Sequence, residues 1–333
     1  MTARLLSGAV SALALSSFAL LPLVACSGDD TPATPDASSP TPTATPTSTP
    51  TTPPTSSSVP DAAPAPDAAD AQPATIDVTV AFAAKVGAAA WSCTATYPTM
   101  GTTPVTVEPK DFRFFVSAVR LVKKDGTKVA LTLPDDGKWQ AKGVALLDFE
   151  DGTGTCTDGN AETNTQIKGK APAGEYVGLA FDVGIPFAEN HLNPATQPSP
   201  LNAMQMHWSW LGGFRFMKID VQPKGAADVV LPRFNLHLGS TDCVGDPANG
   251  TAVTSCARPN RVPVELAAFD VTKQKVVVDI APLLAGELTA NAGGPPGCMS
   301  GKTDPECSPV FPKLGLDFTT GLPSGTQAVF KAE

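Results

Sequence analysis

Ile76-Asp77-Val78-Thr79-Val80-Ala81-Phe82 places four apolar residues two apart, with Asp77, Thr79 and Ala81 between them. Successive side chains of a strand point to opposite faces, so this period of two predicts a β-strand with one core face. The rhythm recurs in Phe112–Val122, Lys128–Leu133, Val144–Phe149, Tyr176–Val183, Met204–Trp210, Phe214–Val221, Phe234–Leu238, Val262–Phe269 and Lys275–Ile280. Turn signals such as Lys124-Asp125-Gly126, Asp135-Asp136-Gly137 and Pro172-Ala173-Gly174 separate these runs. Only Pro282–Leu288 reads as a short helix. The pattern predicts an all-β domain over residues 74–333, an antiparallel β-sandwich. Its loops at 150–170, 184–203, 239–262 and 286–312 are long, and long loops are usually functional or tied down.

Upstream of this domain the composition changes. Residues 29–73 hold 12 prolines and no lysine, arginine or aromatic residue. Such a stretch cannot bury enough apolar surface to offset the entropy of ordering it. Before it, Arg4 precedes an apolar run from Leu5 to Val24 that ends in Leu23-Val24-Ala25-Cys26, the pattern of a bacterial lipobox. Residues 1–25 therefore read as a lipoprotein signal peptide. Cys26 becomes the lipidated N-terminus, and residues 26–73 a disordered tether. This places the domain in the cell envelope, on the outer membrane or the periplasmic face, held to the membrane by its lipid alone. The folded part carries 26 acids against 22 bases. A nucleic-acid binder would show a basic excess, so that function is excluded.

With Cys26 assigned to lipid, six of the seven cysteines remain. An even set in an oxidising compartment predicts three disulfides, of 15 possible pairings. Spacing favours Cys243–Cys256 and Cys298–Cys307, which leaves Cys93–Cys156. A zinc ribbon would need C-x-x-C pairs, and the chain has none.

The chain has three histidines, His191, His207 and His237. Aromatic residues gather in Met204-Gln205-Met206-His207-Trp208-Ser209-Trp210-Leu211-Gly212-Gly213-Phe214-Arg215-Phe216. If Met204–Trp210 is a strand, Met204, Met206, Trp208 and Trp210 share one face and His207 points to the other. Two imidazoles from separate segments beside a soft or aromatic neighbour suit copper better than magnesium or calcium. A histidine of this kind equally serves as a structural hydrogen-bond partner, and a Met/Trp stripe as core packing. No G-x-S-x-G, H-E-x-x-H, P-loop or dinucleotide fingerprint is present. Hydrolase readings therefore have little to stand on.

Several motifs in order carry a family resemblance. They are Gly184-Ile185-Pro186-Phe187 with Asn190-His191, Met206-His207-Trp208-Ser209-Trp210 with Gly213-Phe214-Arg215-Phe216, His237-Leu238-Gly239-Ser240-Thr241-Asp242-Cys243, and Gly297-Cys298-Met299-Ser300-Gly301 ending at Asp304-Pro305-Glu306-Cys307. Together they resemble the MbnP-type proteins, the four-Cys member of the metallo-mystery pair found beside methanobactin operons and elsewhere in bacteria. The four cysteines correspond to Cys243, Cys256, Cys298 and Cys307. The resemblance implies a β-sandwich that binds copper, as Cu(I). It also implies an MbnH-type partner, similar to a di-haem cytochrome c peroxidase, that oxidises a tryptophan to kynurenine. Carried over, His191 and His237 become the metal ligands, with His207 a possible third, and Trp208 or Trp210 the modified residue. On this reading the chain is a substrate and metal carrier, not an enzyme. A metal-free structural or ligand-binding sandwich and a small copper oxidase are the competing readings.

Overall fold

The computed structural model describes residues 74–209 and 212–333. The expected signal peptide, Cys26 and its tether, and Trp210, lie outside the described residues.

The described chain is a β-sandwich built on two sheets of ten and five strands. In the larger, Val262–Leu266, Gly178–Val183, Val105–Val122, Met217–Lys224, Phe234–Leu238 and Gly297–Cys298 follow one another. The 18-residue strand Val105–Val122 is long enough to pair along its length with Tyr97–Met100, Lys128–Ala130 and Val144–Asp148 as well. In the smaller sheet Thr75–Val86 lies between Gln166–Pro172 and Val276–Asp279. Pairing is antiparallel with two exceptions, Thr75–Val86 with Val276–Asp279 and Phe234–Leu238 with Gly297–Cys298.

The period-two reading of the first strand holds from Val78 onward. Val78, Val80, Phe82, Ala84 and Val86 are buried, while Ile76 is 39% exposed at the frayed start. Phe82 and Phe330 from the small sheet meet Phe114 and Phe181 from the large one, edge to face, at centroid distances of 5.6–6.1 Å. These four rings join the two layers, and edge-on aromatic pairs add about 0.5–1.5 kcal/mol each beyond their buried area.

All three disulfides form as spacing suggested: Cys93–Cys156, Cys243–Cys256 and Cys298–Cys307. They tie the loops at 150–170, 239–262 and 286–312. By the chain-entropy argument the 63-residue separation of Cys93 and Cys156 restricts the unfolded chain by roughly 4 kcal/mol.

Three local expectations are corrected. Met204–Trp210 is not a continuous strand, since Met204–Met206 is a 3-10 turn followed by the two-residue strand His207–Trp208. The turn rotates each residue by a third of a circle, so the shared face dissolves: Met204 is 58% exposed while Met206 is fully buried. The segment 239–262 contains a two-stranded hairpin, Thr241–Asp246 with Thr251–Arg258, whose mostly exposed residues show no apolar rhythm. The helix expected at Pro282–Leu288 is a single 3-10 turn, Ala281–Leu284.

Candidate functional site

Ile185-Pro186 leads out of the large sheet, and Pro186 caps the short helix Phe187–Asn190, its carbonyl accepting the Glu189 and Asn190 N–H groups at 3.1 and 2.9 Å. Asn190, 1% exposed, accepts the Phe214 amide N–H at 2.9 Å through Oδ1. His191 follows immediately. Its Nδ1 lies 2.9 Å from the Gly212 carbonyl, which can only accept, so Nδ1 carries the proton. The lone pair is then on Nε2, where the Asn190 amide donates to it at 3.0 Å. Nε2 also lies 3.4 Å from Sγ of Cys256. Gly213 permits this approach, since a Cβ there would stand 3.1 Å from His191 Cε1.

His207 pairs with Phe214 in the two-residue ladder, and its ring meets the Phe214 edge at 5.0 Å. Both ring nitrogens of His207 are buried and neither has a hydrogen-bond partner. Leaving a buried polar atom unpaired costs on the order of 1–3 kcal/mol, so this imidazole asks for a function. His191 and His207 line one cleft of about 550 Å³, together with Met204, Ser209, Gly212 and Pro247. Burial lowers the pKa of both, with Arg215 and His191 adding to the effect at His207. Both are neutral at pH 7.

His237 has a different environment. Arg215 Nε donates to its Nδ1 at 3.2 Å, so Nε2 carries the proton and donates to Asp220 Oδ1 at 2.8 Å. Burial lowers its pKa against the pull of Asp220. As at His191, both ring nitrogens have a partner, but here both partners are ionisable side chains. The structure therefore brings His191 together with His207, and sets His237 beside Trp208 in a second cleft of about 650 Å³ with Arg215, Met299 and Asp304. His207 also lines a third cleft, of about 590 Å³, with His237, Arg215 and Asp220.

Trp208 is 3% exposed. The Arg215 guanidinium sits over its ring at 5.5 Å and the His237 ring lies at 6.5 Å. Arg215 also donates to the carbonyls of Gln205 and His207, at 3.0 and 3.1 Å, and so fixes the whole Met204–Trp208 turn. A Cβ at Gly239 would approach the Trp208 ring to 2.4 Å and the Phe214 carbonyl to 2.7 Å. Gly239→Ala is thus expected to cost about 1–3 kcal/mol by overpacking and to shift the tryptophan emission. Urea unfolding within about 0.5 kcal/mol of wild type would contradict that close fit.

Below these rings lies an ionic network that sequence reasoning missed. Asp111 and Arg113, Lys218 and Asp220, and Asn235 and His237 occupy three neighbouring strands in register, on one face. Arg113 Nε donates to Asp111 Oδ1 at 2.8 Å, and Arg113 Nη1 to Gln205 Oε1 at 2.8 Å. Lys218 Nζ pairs with Asp111 and reaches Asp220 at 3.4 Å and Asp158 at 3.8 Å. Burial pushes Asp220 up, yet His237 and Lys218 outweigh it and the carboxyl stays below its ordinary range. The signal was present in the sequence as polar residues two apart inside otherwise apolar strands.

A family model described as MbnP matches residues 75–300. The solved structure of MbnP from Methylosinus trichosporium is similar at a TM-score of 0.68, with 34% sequence identity over 78% of this chain and 98% of that one. No curated protein matches. The matched region spans both sheets, the His191–His207 cleft and the Trp208 environment. The chain belongs to the MbnP family.

Proposed function

We propose that this chain is an exported, lipid-anchored copper-binding protein and the substrate of a di-haem partner that oxidises one of its tryptophans to kynurenine beside the copper. The observation that carries the copper reading is His207, whose two buried nitrogens have no partner and which shares a cleft with the neutral His191. Neutral imidazoles and a thioether such as Met204 suit Cu(I). Nδ1–H of His191 is held by a backbone carbonyl, the outer support that metal-binding imidazoles usually have. His191 and His207 are the ligand pair the geometry favours. His191 would exchange only the neutral Asn190 amide at Nε2 for the metal, whereas freeing Nδ1 of His237 would displace the Arg215 guanidinium, so His237 serves as support for Trp208 and Arg215.

The family is not a known enzyme family, and in this reading the oxidising power comes from the partner. The indole C2–C3 bond breaks, each carbon takes an oxygen, and hydrolysis releases the C2 carbon as formate. The electrons pass to peroxide at the partner's haem. Trp208 fits the outcome, because the ketone formed would find the Arg215 guanidinium as a donor. Trp210 remains the second candidate. The metal-free alternative would leave the two buried nitrogens of His207 without a partner.

Copper titration of the full chain separates these readings. His207→Ala and His191→Ala are each expected to weaken Cu(I) binding by at least about tenfold, more than removal of a supporting contact such as Asp220. Unchanged affinity in both variants returns the histidines to packing. Peptide mass spectrometry on protein from its native host tests the modification: one carbon replaced by oxygen in the peptide holding Trp208 and Trp210. Two intact tryptophans with the haem partner present would remove the substrate role.

A further inference from the structure

We propose that the Cys243–Cys256 disulfide is a redox gate, whose reduction builds a soft-metal site from two thiolates and Nε2 of His191. Among the described cysteines these two stand apart. Cys93, Cys156, Cys298 and Cys307 are at most 1% exposed, whereas Cys243 and Cys256 are half-buried. They face each other across the hairpin of Thr241–Asp246 and Thr251–Arg258, which belongs to neither large sheet. A dithiol reductant can therefore reach this bond before the other two.

The arrangement around the bond is already that of a metal site. Sγ of Cys243, Sγ of Cys256 and a ring nitrogen of His191 all lie within 4.8 Å of one another. The His191 tautomer is fixed by the Gly212 carbonyl, and Nε2, which accepts from the Asn190 amide at 3.0 Å, lies 3.4 Å from Cys256 Sγ, so a metal there would take the place of the amide proton. In the oxidised chain the sulfurs are poor donors. Reduction changes only them. A thiolate of the reductant attacks one sulfur of this chain, and its second thiol resolves the mixed disulfide. The bond between Cys243 and Cys256 breaks, one forms in the reductant, and two electrons pass to this chain. Two thiols are left within reach of His191, and a metal that binds them displaces both protons to solvent. Two thiolates and one imidazole form a donor set for Cu(I) or Zn²⁺.

The hairpin also forms a wall of the His191–His207 cleft, through Pro247, Gly250, Thr251 and Ala252. The gate thus goes beyond the copper reading above: it couples occupancy of that cleft to the redox state of the envelope.

The test uses the full chain, reduced with dithiothreitol until alkylation maps to Cys243 and Cys256 alone, with circular dichroism to confirm the fold. Co²⁺ is the probe, because thiolate ligation gives a charge-transfer absorption that imidazole alone does not. The band is expected in the reduced chain, absent in the oxidised chain and absent in Cys243→Ser/Cys256→Ser. His191→Ala is expected to weaken reduced-state binding at least about tenfold. His207→Ala should leave the band in place, so this proposal and the resting copper reading fail separately. The proposal is overturned by a reduced, folded chain without the band, by a band indifferent to His191→Ala, or by a bond that resists dithiothreitol while the fold is intact.

Discussion

Replacing Lys218 by methionine is expected to destabilise the domain by about 3–5 kcal/mol, the usual cost of removing one partner from a buried ion pair. Lys218 is 7% exposed and Asp111 fully buried. Oxygens of Asp111, Asp158 and Asp220 lie within 4.8 Å of one another, and the Lys218 ammonium lies among them. Each carboxylate keeps another partner, Arg113, Arg233 or His237 respectively. The loss is therefore not total, but three negative charges would lose the cation they share. Two signatures separate this from simple loss of packing. The deficit should shrink in acid, where protonation relieves the cluster. Millimolar Ca²⁺ should restore part of the stability, because oxygens at this spacing can close on a hard cation at about 2.4 Å. A urea midpoint shift equivalent to less than about 1 kcal/mol, unaffected by pH and Ca²⁺, would show that the network is dispensable. The network matters to the site because Asp220 holds His237, His237 accepts from Arg215, and Arg215 covers Trp208.

The sandwich was legible because its strands bury one face at a time. Val78, Val80 and Phe82 alternate in the sequence as they do in burial, and Phe234–Leu238 has the bounds its pattern suggested. The site was legible in content but not in pairing. His191, His207, Trp208 and Arg215 stand in recognisable motifs, yet which imidazoles meet depends on a 3-10 turn at Met204–Met206. A run of Met, His and Trp can adopt that turn as readily as a strand, since the choice is made by tertiary contacts: Arg215 holding the carbonyls of Gln205 and His207, and Met206 filling the core. The hairpin at 241–258 escaped for the opposite reason, having too little buried surface to leave a pattern. Its cysteines, at directly paired positions, were the readable trace of it.

The other large effect concerns pH and the carboxyl of Asp148. Asp148 is 6% exposed, and burial raises its pKa from 3.8 to about 7. The Glu150 amide N–H, donated at 2.9 Å, and Arg113 pull it down, while Asp111 and Glu150 push it up. Folding therefore favours the proton on Asp148. Below pH 3.8 both the folded and unfolded forms hold it and nothing is lost. Between 3.8 and 7 the unfolded chain ionises first, and stability falls as pH rises. The shift corresponds to roughly 4 kcal/mol once both forms are charged. His191, His207 and His237 act with the opposite sign. Their lowered pKa values mean that the unfolded chain takes protons first, so their contribution is lost as pH drops below the ordinary value of 6.5. Asp148→Asn isolates the carboxyl from these histidines. The amide keeps an acceptor for Glu150 N–H and cannot ionise. The stability of Asp148→Asn relative to wild type is expected to climb between pH 4 and 7 and level off above it, while both proteins share the same decline on the acid side. Thermal melts across that range read the difference directly. A constant offset between the two proteins would mean that water or Arg113 already carries the charge of Asp148 in the folded state.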